Sequence, residues 1–250
     1  MTRGARAIRR LRRLARALVI LGVLGAVALV AWGSLRGRPQ DLPWTPLDLG
    51  QPVGLFTGRK LTALTEDFPA CRAALDRAGV RYTALPPRSG AGQCGYRDGI
   101  RFTAGGARNI AFVPTGLGVA CPVGAALAMW EWNVVQPAAE AEFGKRVVSI
   151  DHFGSYSCRR IYGRDAGNWS EHSTADAVDI AGFRLTDGMR ITVARDWRGD
   201  DGKARFLRRV RDGACKLFAT TLSPDYNAAH RDHLHLDQAN RGAMGWRACR

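Results

Sequence analysis

Ala177-Val178-Asp179-Ile180-Ala181-Gly182-Phe183 has the apolar, β-branched content of a strand, with a single carboxylate set inside it. Successive side chains of a strand point to opposite faces, so Asp179 faces away from Val178 and Ile180. A carboxylate in so apolar a segment is costly unless something pairs with it. A metal ion would satisfy it, and would account for the small neighbours Ala177 and Ala181. Asp232-His233-Leu234-His235-Leu236-Asp237 reads as a final strand by the same logic, with both histidines on one face and both leucines on the other.

Working outward, Arg146 to Phe153 is a further strand by its β-branched content, and Arg190 to Ala194 is another, reached through a turn at Asp187-Gly188. Phe68 to Ala78 is predicted as a helix with Phe68, Cys71, Ala74, Leu75 and Ala78 on one face, and Lys203 to Phe218 as another. Pro122 opens a longer helical stretch, Val123 to Phe143, which Pro137 should kink or divide. Pro86 to Gly106, rich in Gly and Pro, is expected to be loop with short strands. Strands separated by helices favour an α+β domain, a small and mostly antiparallel sheet flanked by helices, over a sandwich. The 250 residues suffice for one sizeable domain with an appendage.

That appendage lies at the amino end. The net charge is +15, and seven arginines (Arg3, Arg6, Arg9, Arg10, Arg12, Arg13 and Arg16) precede any acidic residue. An apolar run from Ala17 to Leu35 follows, about long enough to cross a bilayer core as a helix. The expected organisation is a basic cytoplasmic tail at 1–16, a signal anchor at 17–35, a Pro/Gly-rich linker at 36–60 and an exported domain at 61–250. A cleaved signal peptide is the rival, although no clean small-x-small site precedes Gly33-Ser34. Because about half of the basic excess sits before the anchor, and no basic stripe interleaved with aromatics follows it, nucleic acid is not an expected partner. Six cysteines, Cys71, Cys94, Cys121, Cys158, Cys215 and Cys249, agree with export and read as disulfides whose pairing stays open.

Four of the five histidines fall in two clusters, His172 with Asp179 as H-x6-D, and His230, His233 and His235 as H-x2-H-x-H. Two imidazoles and a carboxylate with a position left open for water make a zinc-type ligand set. Glu171 and Asp176 could replace Asp179, and Asp232 and Asp237 could accept the N–H groups of ligating imidazoles. Ser170 would orient a ligand or cap a turn, and His152 would lie in a core or at a strand end.

Ser170-x-His172-x2-Ala175-x-Ala177-x-Asp179 resembles the S-x-H-x2-G-x-A-x-D signature of zinc peptidases that cut D-Ala-containing peptides of bacterial cell walls. His230-x2-His233-x-His235 is similar to the second motif of their murein endopeptidase branch. Ala175 stands where the signature has Gly. The stretch from Cys71 to Arg250 also resembles the bacterial extensin-like C-terminal domain family, through Phe153-Gly154-Ser155-Tyr156-Ser157-Cys158-Arg159, Arg211-Asp212-Gly213-Ala214-Cys215 and Pro224 to Asp237. The first resemblance implies a peptidase-like fold with zinc (Zn2+) held by His172, Asp179 and His235. It implies His230 and His233 beside the metal, one of them the base, and an arginine near the substrate, best matched by Arg159 with Arg160 in reserve. Which of His233 and His235 ligates stays open. The expected function is a zinc-dependent hydrolase of amide bonds in peptidoglycan peptides, anchored in the bacterial inner membrane and facing the periplasm. The alternatives are a cell-wall-binding or scaffold domain without turnover, and a metal that only stabilises the fold.

Overall fold

The computed structural model describes residues 3–106, 109–242 and 246–250. Its strands in chain order are β1 (Val80–Ala84), β2 (Arg88–Ser89), β3 (Gly95–Tyr96), β4 (Gly99–Gly106), β5 (Ala111–Val113), β6 (Gly118–Ala120), β7 (Val147–Gly154), β8 (Ala177–Leu185), β9 (Arg190–Thr192), β10 (Thr220–Leu222), β11 (Leu234–Asp237) and β12 (Ala248–Cys249). The helices are α1 (Arg3–Arg36), α2 (Thr57–Ala63), α3 (Phe68–Arg77), α4 (Cys121–Trp130), α5 (Gln136–Phe143), α6 (Val193–Asp196) and α7 (Gly202–Ala214). A seven-stranded sheet runs β12-β10-β11-β8-β7-β5, with β9 also against β8. It is antiparallel except at the β5–β7 and β10–β12 pairs. A three-stranded sheet, β1-β4-β6, and the β2–β3 ladder complete an α+β architecture.

Strand β8 organises the domain. Its first half pairs with β11, its second half with β9, and β7 runs along its other edge. Val178, Ile180, Leu234 and Leu236 are fully buried, as period-two alternation requires. Phe183 breaks that alternation, because continued from Asp179 it would share the carboxylate's face, yet it is fully buried. The register explains this: Asp151 pairs with Gly182 and His152 with Ile180, so β8 carries one extra residue, Ala181, and its face parity inverts there. Next to it Gly154 pairs with Asp179, leaving Phe153 as the extra residue of β7. Phe183 then packs on Phe206 of α7 at 5.0 Å and on Trp130 of α4 at 5.8 Å. The indole of Trp130 donates to the Val210 carbonyl at 2.8 Å, so this polar handle is satisfied inside the core.

The long helical stretch divides where proline demands it, slightly upstream of Pro137. Glu131–Val135 forms a wider π turn between α4 and α5. Pro137 has no N–H, and its ring crowds the carbonyl four residues earlier. The wide turn absorbs the resulting extra residue. Other boundaries shift a little: β9 stops at Thr192 and α6 follows, α7 ends at Ala214, and β11 begins only at Leu234.

Helix α1 contains an apolar span, Leu11–Val30, with mean hydropathy 2.1, and none of it is buried against the protein. It is long and apolar enough to cross a membrane. The segment expected at 36–60 to be an extended linker is laid on the domain instead. Leu47 and Leu49 enter the core, Gln40 is buried, and Phe56 N donates to the Gln40 carbonyl at 3.0 Å. Apolar burial outweighs the loop-like composition here. Three disulfides form: Cys71–Cys121 ties α3 to α4, Cys94–Cys158 ties the β3 region to the loop after β7, and Cys215–Cys249 ties the end of α7 to β12. They indicate an oxidising, extracytoplasmic setting for the domain.

Candidate metal centre

Asp179 and His235 are direct cross-strand partners between β8 and β11. That register alone places both side chains on one face of the sheet, opposite the buried leucines. His172 arrives from a 3-10 turn, Glu171–Thr174, just before β8. Ser170 caps the turn by accepting from His172 N at 3.3 Å, and Ser157 N holds the His172 carbonyl at 2.8 Å. The turn closes at Ala175 in the left-handed conformation, φ 59° and ψ 15°. This is the position where the resembling signature carries Gly, which takes that conformation without Cβ strain.

The three ligand atoms lie at the corners of a nearly equilateral triangle. His172 Nε2 is 3.2 Å from Asp179 Oδ1 and 3.2 Å from His235 Nδ1, and His235 Nδ1 is 3.0 Å from Asp179 Oδ1. Tetrahedral zinc with bonds of about 2.0–2.1 Å holds its ligand atoms about 3.3 Å apart. The tautomers decide what these atoms present to one another. His172 Nδ1 lies 2.5 Å from the Ser155 carbonyl, which can only accept, so Nδ1 carries the proton and Nε2 a lone pair. His235 Nε2 faces Asp237 Oδ2 at 3.1 Å and donates to it, so the neutral ring presents a lone pair at Nδ1. Two imidazole lone pairs and a carboxylate oxygen then converge, an arrangement that repels unless a cation sits among them.

Without a metal, a proton has to supply that charge. Burial pushes the His235 imidazole down, but hydrogen bonds to Asp179 and Asp237 outweigh it and leave it raised to about 9. Burial pushes Asp179 up, yet the His172 and His235 imidazoles against its carboxylate hold it far below the carboxylate range. The donor set therefore fits a divalent cation by distance, by tautomer and by charge.

His233 Nε2 approaches the same Asp179 oxygen at 3.5 Å, and its Nδ1 donates to Asp232 at 2.9 Å. His230 is one ring further out, 5.2 Å from His233 and 5.9 Å from His235 between centroids. Its Nδ1 donates to Asn227 Oδ1 at 2.8 Å. Burial first, then the neighbouring imidazoles of His233 and His235, lowers His230 to about 4, so it is neutral near pH 7. Of the two histidines left open by the sequence, His235 completes the triangle and His233 stands beside it. Asp176 and Glu171 stay outside the triangle. Asp176 is buried behind it, its pKa raised well above the carboxylate range by burial and then by Asp237. Glu171 is likewise pushed up, first by burial. His152 is a core residue bonded through Nε2 to the Pro114 carbonyl at 2.8 Å. Among the described residues no other group of three His, Cys, Asp or Glu side chains is close enough to hold a metal.

The triangle sits in a cleft of about 910 Å³ that also reaches Arg159, Tyr162, Trp169, Tyr226 and Arg241. Arg159 is exposed and held lightly, Nε to Ser157 Oγ at 3.3 Å. Arg160 is committed to the cleft wall: it donates to the Gly167 carbonyl and stacks over Trp169 at 4.6 Å. Cys158 between this pair and the strand is a disulfide half and no nucleophile. Sequence reasoning missed the Ser155 carbonyl, Asn227, Tyr162 and Tyr226. A backbone acceptor leaves no trace in residue type, and the others come from loops without periodicity.

An α+β domain carrying a His-Asp-His cluster that could hold a metal ion is the class that fold and site define. Residues 69–250 match the family described as Extensin-like protein C-terminus, and the chain belongs to that family. No curated protein and no solved structure matches it.

Proposed function

We propose that this protein is a membrane-anchored, periplasmic zinc-dependent hydrolase of amide bonds in peptidoglycan peptides, held in the bacterial inner membrane by α1. The observation that carries the reading is the convergence of His172 Nε2, Asp179 Oδ1 and His235 Nδ1 within 3.0–3.2 Å, both imidazoles backed by a hydrogen bond on their far side, beside two further histidines in an open cleft. Bound zinc would polarise a carbonyl and lower the pKa of water to about 7. His172, Asp179 and His235 would hold it, three protein ligands being the number that leaves a position for chemistry.

The remaining roles belong to the surrounding side chains. Asp232 accepts from His233 Nδ1–H, so Nε2 carries the lone pair and faces the triangle, the geometry of a general base. His230, neutral and steered by Asn227, accepts or returns a proton on the outer side. Arg159 offers an exposed guanidinium at the cleft wall for a substrate carboxylate or carbonyl. The resemblance of the two histidine motifs to wall peptidases supplies the substrate class. Three disulfides behind an apolar helix support export of the domain, which agrees with a substrate on the outer side of the membrane.

The test is digestion of purified muropeptides by the zinc-loaded full chain, followed by mass spectrometry. New amide-cleavage fragments that disappear with His233→Ala and with chelator are expected. Intact muropeptides after prolonged incubation with fully metallated protein would exclude hydrolysis.

A further inference from the structure

Exposed aromatic side chains gather around the metal cleft in a way the hydrolytic machinery does not use. Tyr162 is 53% exposed and Tyr226 45% exposed, and both line the cleft. Phe153, the extra residue of β7, is 62% exposed and packs edge-on against His233 at 5.8 Å. Exposed aromatic surface costs solubility without return unless something covers it. Trp169 shows the contrast: Arg160 covers one face, and Gly92 is so close that a Cβ there would meet the indole at 2.3 Å. Trp169 is wall, whereas Tyr162, with the Arg164 guanidinium 5.6 Å from its ring centre, and Tyr226, against His230, stay exposed at 53% and 45%.

Two details indicate that the tyrosines are placed rather than stranded. Tyr162 takes a left-handed backbone, φ 58° and ψ 21°, a conformation a bulky residue keeps only when its surroundings enforce it. Its hydroxyl accepts from Asn227 Nδ2 at 3.1 Å, so a bond spans from the 160s loop to the 226–227 loop. Asn227 uses its other end to fix His230, and the Tyr226 ring lies 5.5 Å from that imidazole. The two rings are thereby linked to each other and to the histidines next to the metal ligands.

We propose that Tyr162 and Tyr226 form a sugar-binding subsite beside the metal centre, so that the substrate is a glycan-linked peptide rather than a free one. This rests on the hydrolase reading for the word substrate, but the subsite stands on its own geometry. The exposed parts of the two tyrosine rings suit the apolar face of a pyranose ring, and the polar side chains Gln93, Asn168 and Arg159 along the same cleft suit its hydroxyl and acetamido groups. An apolar peptide side chain would call for a closed pocket, which these rings do not make. At about 910 Å³ the cleft lies at the upper end of small-ligand sites, roughly 300–1,000 Å³, and holds more than a dipeptide at the metal.

The experiment is titration of the full chain, in micelles of a zwitterionic detergent free of sugar headgroups, with a β-1,4-linked N-acetylglucosamine tetramer. Saturation transfer from tyrosine ring protons to the sugar reports contact, and calorimetry reports affinity. Expected are transfer in the wild type and a loss of about tenfold or more in affinity for Tyr162→Ala and Tyr226→Ala, with zinc content unchanged. Tyr162→Phe keeps the ring and should bind within about threefold of wild type, which covers the case in which the alanine variant fails to fold. No transfer at millimolar sugar, or affinity indifferent to all three substitutions, overturns the subsite. Cleavage separates the two proposals: equal rates on free and glycan-linked peptides, without sugar binding, remove the subsite and keep the hydrolase. Sugar binding by a fully metallated protein that cuts nothing supports the subsite and removes only hydrolysis.

Discussion

Ala175 is one methyl group away from the residue its conformation asks for. An L-residue in the left-handed region costs about 1–2 kcal/mol. Replacing it with Gly would relieve that, but would lose about 0.8 kcal/mol of methyl burial and about 0.4–1 kcal/mol through the freer unfolded chain. Ala175→Gly is therefore expected to shift stability by less than about 1 kcal/mol, whereas Ala175→Val, β-branched and fully buried, should cost about 2–4 kcal/mol. Thermal unfolding of both variants checks the pair. The ligands make a second prediction at this scale. His235 is raised to about 9 in the metal-free protein, above its unfolded value of 6.5. Its contribution to stability is complete below about pH 6.5 and is lost as pH rises through about 9. Asp179, held low, contributes above its ordinary range and loses that only in strong acid. Metal-free protein should thus melt at lower temperature at pH 9 than at pH 6.5. Zinc should reverse the trend, because it competes with the His235 proton and binds more tightly as pH rises. A metal-free melting temperature that climbs from pH 6.5 to 9 would contradict the assignment.

At the scale of elements, the facing of Asp179 and His235 was legible because both sit in strands whose alternation separates core from cleft. His172 was legible only through motif spacing, since the short 3-10 turn that carries it has no periodic signal. The inverted parity at Phe183 was not legible: a bulge depends on the partner strand, and the extra residue, Ala181, is chemically silent. Burial of Leu47 and Leu49 was hidden for the opposite reason, because prolines around them advertise an extended linker while tertiary packing decides. The loop bearing Arg159 and Tyr162 starts at a disulfide. Cys94–Cys158 closes a span of 64 residues and fastens this loop to the β3 region. A double substitution, Cys94→Ser with Cys158→Ser, is expected to lower stability by about 2–4 kcal/mol. It should also raise amide hydrogen exchange across 159–168 while leaving exchange in β8 and β11 unchanged. Uniform loosening of the sheet would show that the bridge braces the core instead.

For the molecule as a whole, the apolar face of α1 and the disulfides of the domain assign the two ends of the chain to different surroundings. The full chain should stay with membranes through alkaline carbonate washing. A charged pair placed mid-span, Leu21→Arg with Leu24→Arg, should release it, since each arginine costs about 2.5–3.5 kcal/mol at the helix centre. Release of the wild type would show that α1 does not span. The sheet, in turn, exists to bring a turn, a middle strand and a late strand to one point, and the account stands or falls there. Zinc K-edge absorption on the metal-loaded full chain tests this most directly. The account predicts one tightly bound zinc per chain, nitrogen and oxygen scatterers at about 2.0–2.1 Å with outer-shell scattering from two imidazoles, and loss of the metal in His172→Ala. A chain that binds no zinc, or a shell of three or more imidazoles, would contradict it.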